Sequence, residues 1–492
     1  MTASEMAARF RTLLPPTLAK ASTQRRGKGF SGGLDGLRSP VMNDKARIIT
    51  SAVFRRLQTK AQVFSLERDA SVRTRLTHSL EVAMYGELLA ERAFNLLLEQ
   101  KRIEEELRIP FIGTVENACL LHDIGNPPFG HLGEFAIQQW FKSKANEAFV
   151  FEKWSKAPDE AERHYIAFKE FNGNAQSFRI VTRLQWLDGP HGMRLTWSLL
   201  CAMVKYLTCS APAKGPFRRK LGYFETEADV IAKAWDKLGL RHDEGVPLQR
   251  HPLTYLMEAA DDIAYALSDI EDALEKRILS EQPFIERFKS VITPVLEKYA
   301  VSADERKIPD RQASDVKYSR FLRLRSVLTN ALIDASARAF VDNIEAILDG
   351  SWHTELLATD PRVDHLVKRL KSLAKREIFL AAEAVDVELS GYQIVQALLN
   401  GFMPLLRLEY ADIERLENSS TYHRTDWPLE RRLYSLLGKR QLKAYHHFSK
   451  LRPELDRVYR THLIVDFVSG MTDSYAVKIF NIMNGVSAGS SL

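Results

Sequence analysis

The chain has 492 residues, 45% of them apolar and 27% charged, with a net charge of +6 and an isoelectric point near 9.0. That is the composition of a globular protein with a large core, and it excludes disordered and collagen-like classes. Three cysteines, Cys119, Cys201 and Cys209, form no C-x-x-C pair, which excludes a disulfide framework and favours a reducing, cytoplasmic setting; no apolar run approaches the ~20 residues that span a bilayer.

Residues 1–43 include TQRRGKGFSGGLDGLRSP, rich in Gly, Arg and Ser, which reads as a flexible basic N-terminal arm. From Asn43, NDKARIITSAVFRRLQTKAQVF places apolar residues at three- and four-residue spacing behind an Asn cap, which predicts a helix. THSLEVAMYGELLAERAFNLLLEQKRIEEEL is the clearest amphipathic helix of the N-terminal third, and TVENACLLHDIG predicts another. KLGYFETE reads as a short strand or turn, and HPLTYLMEAADDIAYALSDIEDALEKRI as a long helix. FLRLRSVLTNALIDASARAFVDNIEAIL and THLIVDFVSGMTDSYAVKIFNIMNG continue the helical pattern, and SAPAKGPFRR and ADERKIPDRQ read as linkers. No repeat period and no G-x-x-x-x-G-K-[ST] phosphate loop is present. The expectation is an all-α body, with a core over 44–280 that carries insertions and a helical region over 281–492 packed on it.

Metal-capable side chains fall on three of these helical segments: His78 in TRLTHSLEVA, the pair His122-Asp123, and the pair Asp261-Asp262 in MEAADDIAYALSD. A lone His or an Asp pair on a helix is usually structural or solvated. The His122-Asp123 pair differs because it directly follows Ala118-Cys119-Leu120-Leu121, so part of it approaches the core. A buried carboxylate is costly unless it is paired or holds a metal. Two His and two Asp make a mixed nitrogen and oxygen shell suited to a divalent ion such as Mg, Mn or Co. After the pair, the stretch GNPPFGHLGE turns the chain and brings His131 and Glu134 three residues apart, so that they are neighbours on a helix beginning near Gly130. Glu134 then orients His131 and raises its basicity. Asp261, Tyr265 and Asp269 lie at i, i+4 and i+8 and share one helix face.

The order His…His-Asp…Asp, with HDIGNPPFGHLGE and ADDIAY, resembles the HD superfamily of metal-dependent phosphohydrolases, and within it the bacterial deoxyguanosine triphosphate triphosphohydrolases. The resemblance runs from NDKARIITSAVFRRLQTKAQVF to VSGMTDSYA, most of the chain. It implies an HD-domain helical fold with a C-terminal helical extension, and hydrolysis of a dNTP to deoxynucleoside and inorganic triphosphate. It implies metal ligands His78, His122, Asp123 and one Asp of the pair, which the family motif Ala-Asp-x-Ile-Ala-Tyr assigns to Asp261. It also implies that His131 acts at phosphorus with Glu134 as support, whether by positioning water, moving a proton or attacking directly. Arg75 matches a phosphate-binding position, and Lys220 is a further phosphate candidate. Gln62, Tyr265 and Asp269 are expected near the sugar, and Asn174 in the pocket wall. The family often has Lys-Thr-Gln where this chain has Lys60-Ala61-Gln62, and no motif marks the residues that read the base. The resemblance further implies a homo-oligomer, commonly a hexamer, with single-stranded DNA as an effector in some members; basic runs such as LERRLYSLLGKRQLK are compatible with that. Another HD-type phosphodiesterase, or a nucleic-acid-binding HD protein, are the alternative classes.

Overall fold

The computed structural model describes residues 1–15, 38–67, 69–146, 158–186, 189–209, 217–243, 246–300, 302, 305–308, 319–417 and 427–486. The greater part of the expected basic arm and of both expected linkers lies outside these residues. Among the described residues the fold is all-α, apart from a two-residue ribbon in which His242–Asp243 pairs antiparallel with Val246–Pro247.

Three helices form the frame of the site. Arg75–Glu99 starts at Thr74, whose hydroxyl accepts from the Thr77 N–H at 3.3 Å, while the Thr77 hydroxyl accepts from the Thr74 N–H at 3.0 Å. Val82, Leu89, Ala93 and Leu97 make its fully buried face. Arg108–Leu121 packs along it. The two come close at Gly86, where a Cβ would stand 2.5 Å from Cys119 Sγ, so a glycine is needed for the approach. Pro252–Glu275 packs against both, with Pro252 in its first turn, where a missing N–H costs nothing.

The buried apolar side chains form two clusters. One runs from Met6 to Ala384, with Ala444 added, and includes the three frame helices. The other joins Phe129–Phe171 to Leu221, Phe224 and residues 394–479. A boundary at 280 therefore does not divide the cores: the segment after the His-Asp pair packs with the C-terminal helices.

Local chemistry moves several element boundaries. The helix expected to start at Asn43 runs over Arg38–Ile49, with Asn43 inside it and Pro40 near its start. Ser51 then interrupts the pattern by accepting from the Phe54 N–H at 3.2 Å, so a separate short helix, Ala52–Arg56, follows. KLGYFETE forms no strand; Glu225–Glu227 is a 3₁₀ turn. VSGMTDSYA breaks at Gly470 into Asp456–Ser469 and Asp473–Met483.

The first residues of the expected arm are ordered. Thr2 and Glu5 form a capping box that starts the helix Ala3–Leu13, and its Met6, Phe10 and Leu13 are buried. The Phe10 ring meets that of Phe111 edge-on at 5.8 Å. Phe10→Ala should therefore cost about 3–5 kcal/mol of folding free energy, read as a lower denaturation midpoint. An unchanged midpoint would mean that this helix does not dock.

Candidate active site

His78 lies in the first turn of Arg75–Glu99, His122 and Asp123 follow the end of Arg108–Leu121, and Asp261 is mid-way along Pro252–Glu275. These helices bring together His78, His122 and Asp123, whose donor atoms lie within 4.8 Å of one another. Asp261 Oδ1 stands 3.5 Å from His122 Nε2 and 3.6 Å from His78 Nε2, and Asp123 Oδ1 is 3.6 Å from His122 Nε2. Donors 2.0–2.2 Å from one shared ion stand roughly 3.0–3.4 Å apart, so these three pairs are near that spacing, although Asp261 is outside the group whose donors all lie within 4.8 Å of one another. Asp262 takes no part in the cluster: its Oδ1 accepts from Lys371 Nζ at 2.8 Å.

His122 has the tautomer of a metal ligand. Its Nδ1–H donates to the Cys119 carbonyl at 2.6 Å, which leaves the Nε2 lone pair facing the cluster. That Nε2 is buried and has no hydrogen-bond partner. An orphaned acceptor among carboxylates is the feature a cation explains, so the residues present fit a divalent ion.

The charges around the cluster keep its carboxylates ionised. Burial pushes Asp123 up, but His122, Arg75 and His78 outweigh it and bring the carboxyl to about 2. Burial also pushes Asp261 up, and His122, His78 and Lys205 together hold it well below the usual carboxylate range. Lys205 is 3.7 Å from Asp261 Oδ2 and 3.5 Å from Glu258 Oε1. Burial would lower this ammonium, yet Glu258 and Asp261 prevail and raise it. Asn126 Nδ2 donates to Asp123 Oδ1 at 2.6 Å and fixes the carboxylate's rotation.

Beyond Asp123 the chain cannot continue as a helix through Gly125, Asn126, Pro127 and Pro128. Gly125 lies so close to the backbone of Gly173 and Ser177 that a Cβ would overlap both. Phe129 holds a left-handed φ of 62° and Gly130 one of 58°; a new helix, Gly130–Lys142, then begins. Glu134 is buried and His131 is 79% exposed on its side chain. Glu134 Oε1 accepts from the Gly173 N–H at 2.6 Å, and Oε2 stands 3.3 Å from His131 Nδ1. That hydrogen bond to Glu134 is the main reason His131 is raised. Burial pushes Glu134 up, but His131 and the Gly173 N–H outweigh it and lower it.

His78, His122, Asp123, Asp261, His131 and Glu134 border one cavity of about 380 Å³. Gln62, Arg75, Asn174, Lys220 and Tyr265 also line it. The amide oxygen of Gln62 is buried without a partner, and Arg75 Nη1 contacts Asp123 Oδ2. Asn174 Nδ2 donates to Asn172 Oδ1 at 2.7 Å. Burial keeps the Tyr265 phenol protonated, a hydrogen-bond donor. Asp269 departs from the expectation: it is one turn beyond Tyr265 on the same face but does not border the cavity. It is buried, neither oxygen has a partner, and burial pushes its carboxyl well up.

Sequence reasoning missed Lys205, Lys371, Phe379 and Glu388, which also line the cavity. Lys205 carried a signal, a lone cation in the apolar run LLCAMVKYL. The other three arrive from a segment with no motif.

Residues 75–171 match the HD domain family, and that interval holds His78, His122, Asp123, His131 and Glu134. The site and the match together define an HD-superfamily protein. Over 477 residues the chain is 35% identical to the deoxyguanosinetriphosphate triphosphohydrolase of Klebsiella pneumoniae strain 342, and over 482 residues 36% identical to that of Salmonella typhimurium. Each pairing covers 88% of this chain and 91% of the relative. The chain belongs to the deoxyguanosinetriphosphate triphosphohydrolase family.

Because Glu134 is what raises His131 above the usual 6.5, Glu134→Gln should move the His131 titration back down towards that value in an NMR pH series. An unchanged titration would show that the carboxylate does not act on the ring.

Proposed function

We propose that the protein hydrolyses dGTP, and other dNTPs less well, to the deoxynucleoside and inorganic triphosphate. The observation that carries this reading is that one cavity holds a mixed His and Asp donor cluster, a His-Glu pair and four cations. A divalent ion such as Mg, Mn or Co, held by His78, His122, Asp123 and Asp261, would polarise the α-phosphate and offset its charge. Arg75, Lys205, Lys220 and Lys371 line the cavity and suit the β- and γ-phosphates. Water attacks the α-phosphorus, the bond to the 5′-oxygen breaks, and that oxygen leaves with the nucleoside carrying a proton. His131 handles the proton at Nε2, because Nδ1 is turned to Glu134. Tyr265 and Gln62 pack the sugar, where a 2′-hydroxyl would need room and a partner.

The base preference has a chemical basis in two further lining residues. Phe379, whose ring is 6.2 Å from that of Tyr265, offers a face for a purine. Glu388 offers two acceptor oxygens. Guanine is the base whose pairing edge presents adjacent N1–H and N2–H donors, the complement of one carboxylate. A homo-oligomer with single-stranded DNA as effector belongs to the same reading and rests on the family resemblance.

Incubation with each dNTP and with GTP, with Mg or Mn, should release triphosphate, fastest from dGTP. Pyrophosphate or a nucleoside monophosphate as product would point to another HD phosphodiesterase. His122→Ala and Asp261→Ala should lower turnover by more than about 100-fold with folding intact by circular dichroism. Full activity in Asp261→Ala would move the fourth ligand elsewhere. Glu388→Gln should reduce the preference for dGTP over dATP by at least about 10-fold, and an unchanged ratio would remove Glu388 from base reading.

A further inference from the structure

The motif VSGMTDSYA, some two hundred residues beyond the last cavity helix of the HD set, has no role in the chemistry above, yet its turn reaches the site. Asp473 is buried, and its two oxygens each accept a backbone N–H from a different wall of the cavity. Oδ1 accepts from Phe129 at 3.1 Å, and Oδ2 from Ala61 at 3.1 Å. Phe129 is the residue with the left-handed backbone that aims His131, and Ala61 precedes Gln62. Further bonds run between the same segments. Lys60 Nζ donates to the Ser469 carbonyl at 3.0 Å and also to the Asn126 carbonyl, and Arg56 Nη1 donates to the Gly470 carbonyl at 2.9 Å. The Phe129 ring is seated where a Cβ on Gly391 would overlap it.

We propose that Asp473 is a positioning residue that sets the distance between the His131 wall and the Gln62 wall of the cavity. The proposal rests on the activity reading above. A left-handed non-glycine residue relaxes unless its surroundings hold it, and a carboxylate bonded to its N–H is such a hold. A second oxygen on a second wall makes the two positions interdependent. Thr472 provides the contrast, because its hydroxyl caps the same helix by accepting from Tyr475 at 3.3 Å and touches neither wall.

The test compares Asp473→Asn with Thr472→Ala in the full chain. Asn keeps one acceptor and replaces the other with a donor, so one wall is released. Asp473→Asn should lower kcat for dGTP by about 10- to 100-fold per folded molecule, the scale of an ångström-sized misplacement. It should also raise GTP turnover relative to dGTP, because the sugar wall is looser. Thr472→Ala should lower the Tm and leave kcat and the dGTP to GTP ratio as in the parent. If Asp473→Asn behaves like Thr472→Ala, the role is only structural and the proposal is wrong. Should Asp473→Asn not fold, Asp473→Glu carries the same comparison, with both acceptors displaced by one methylene. A parent that releases no triphosphate ends the activity reading; the affinity ratio for dGTP over GTP in calorimetry then decides, falling in the Asp473 variant if the clamp holds and staying constant if it does not.

Discussion

Two ionised carboxylates, Asp123 and Asp261, stand at the edge of an apolar core, and the structure depends on what compensates them. An isolated buried carboxylate would take up a proton before it stayed charged. Here Arg75 and Lys205 supply opposing charge and the imidazoles of His78 and His122 stand beside the carboxylates; Arg75 and His78 share the first turn of one helix, and His122 and Lys205 come from two other segments. Among the groups left unsatisfied is the Nε2 of His122, which faces the cluster and suits a cation. The close approach at Gly86 matters for the same reason, since it sets how near His122 comes to His78.

The cavity lies where the two apolar clusters meet. Metal donors come from helices of the first cluster, whereas His131, Glu134, Asn172 and Asn174 come from the segment that belongs to the second. Ligand sites favour such junctions, because each side is rigid and the gap between them is not filled. The arrangement also explains why the chain is so long for a chemistry that uses few residues. The C-terminal helices Ala382–Arg407 and Asp456–Ser469 hold the second wall in place: the Phe129 ring is seated against Gly391, and Asp466 Oδ1 accepts from Gln176 Nε2 at 2.9 Å. No helix among the described residues is long and apolar enough to cross a membrane.

The parts of this architecture that were legible in the sequence are those written in local order. Helical periodicity located the three frame helices, and the break at Gly125–Pro128 located the turn. The spacing of His131 and Glu134 anticipated their contact, because i and i+3 are neighbours on any helix. Boundaries were less legible: Ser51 competes for a backbone N–H and cuts a helix that periodicity alone would continue. The first helix is marked only by Thr2 and Glu5, which have the spacing of a capping box, and the Gly- and Arg-rich run that follows carries no helical signal. Lys371, Phe379, Glu388 and Asp473 were out of reach for a different reason. Each meets or faces residues more than a hundred positions away, and only the packing of helices brings such pairs together. Asp269 marks the converse limit, since helical phase places a residue on a face but does not say how far along that face the cavity extends.

The central claim is that His78, His122, Asp123 and Asp261 converge on a single divalent cation. Calorimetric titration of the metal-free protein with Mn²⁺ tests it most directly. The account predicts one tight site per chain, lost in His122→Ala and in Asp123→Asn while both variants remain folded. A parent that binds no metal, or variants that bind it as the parent does, would contradict it.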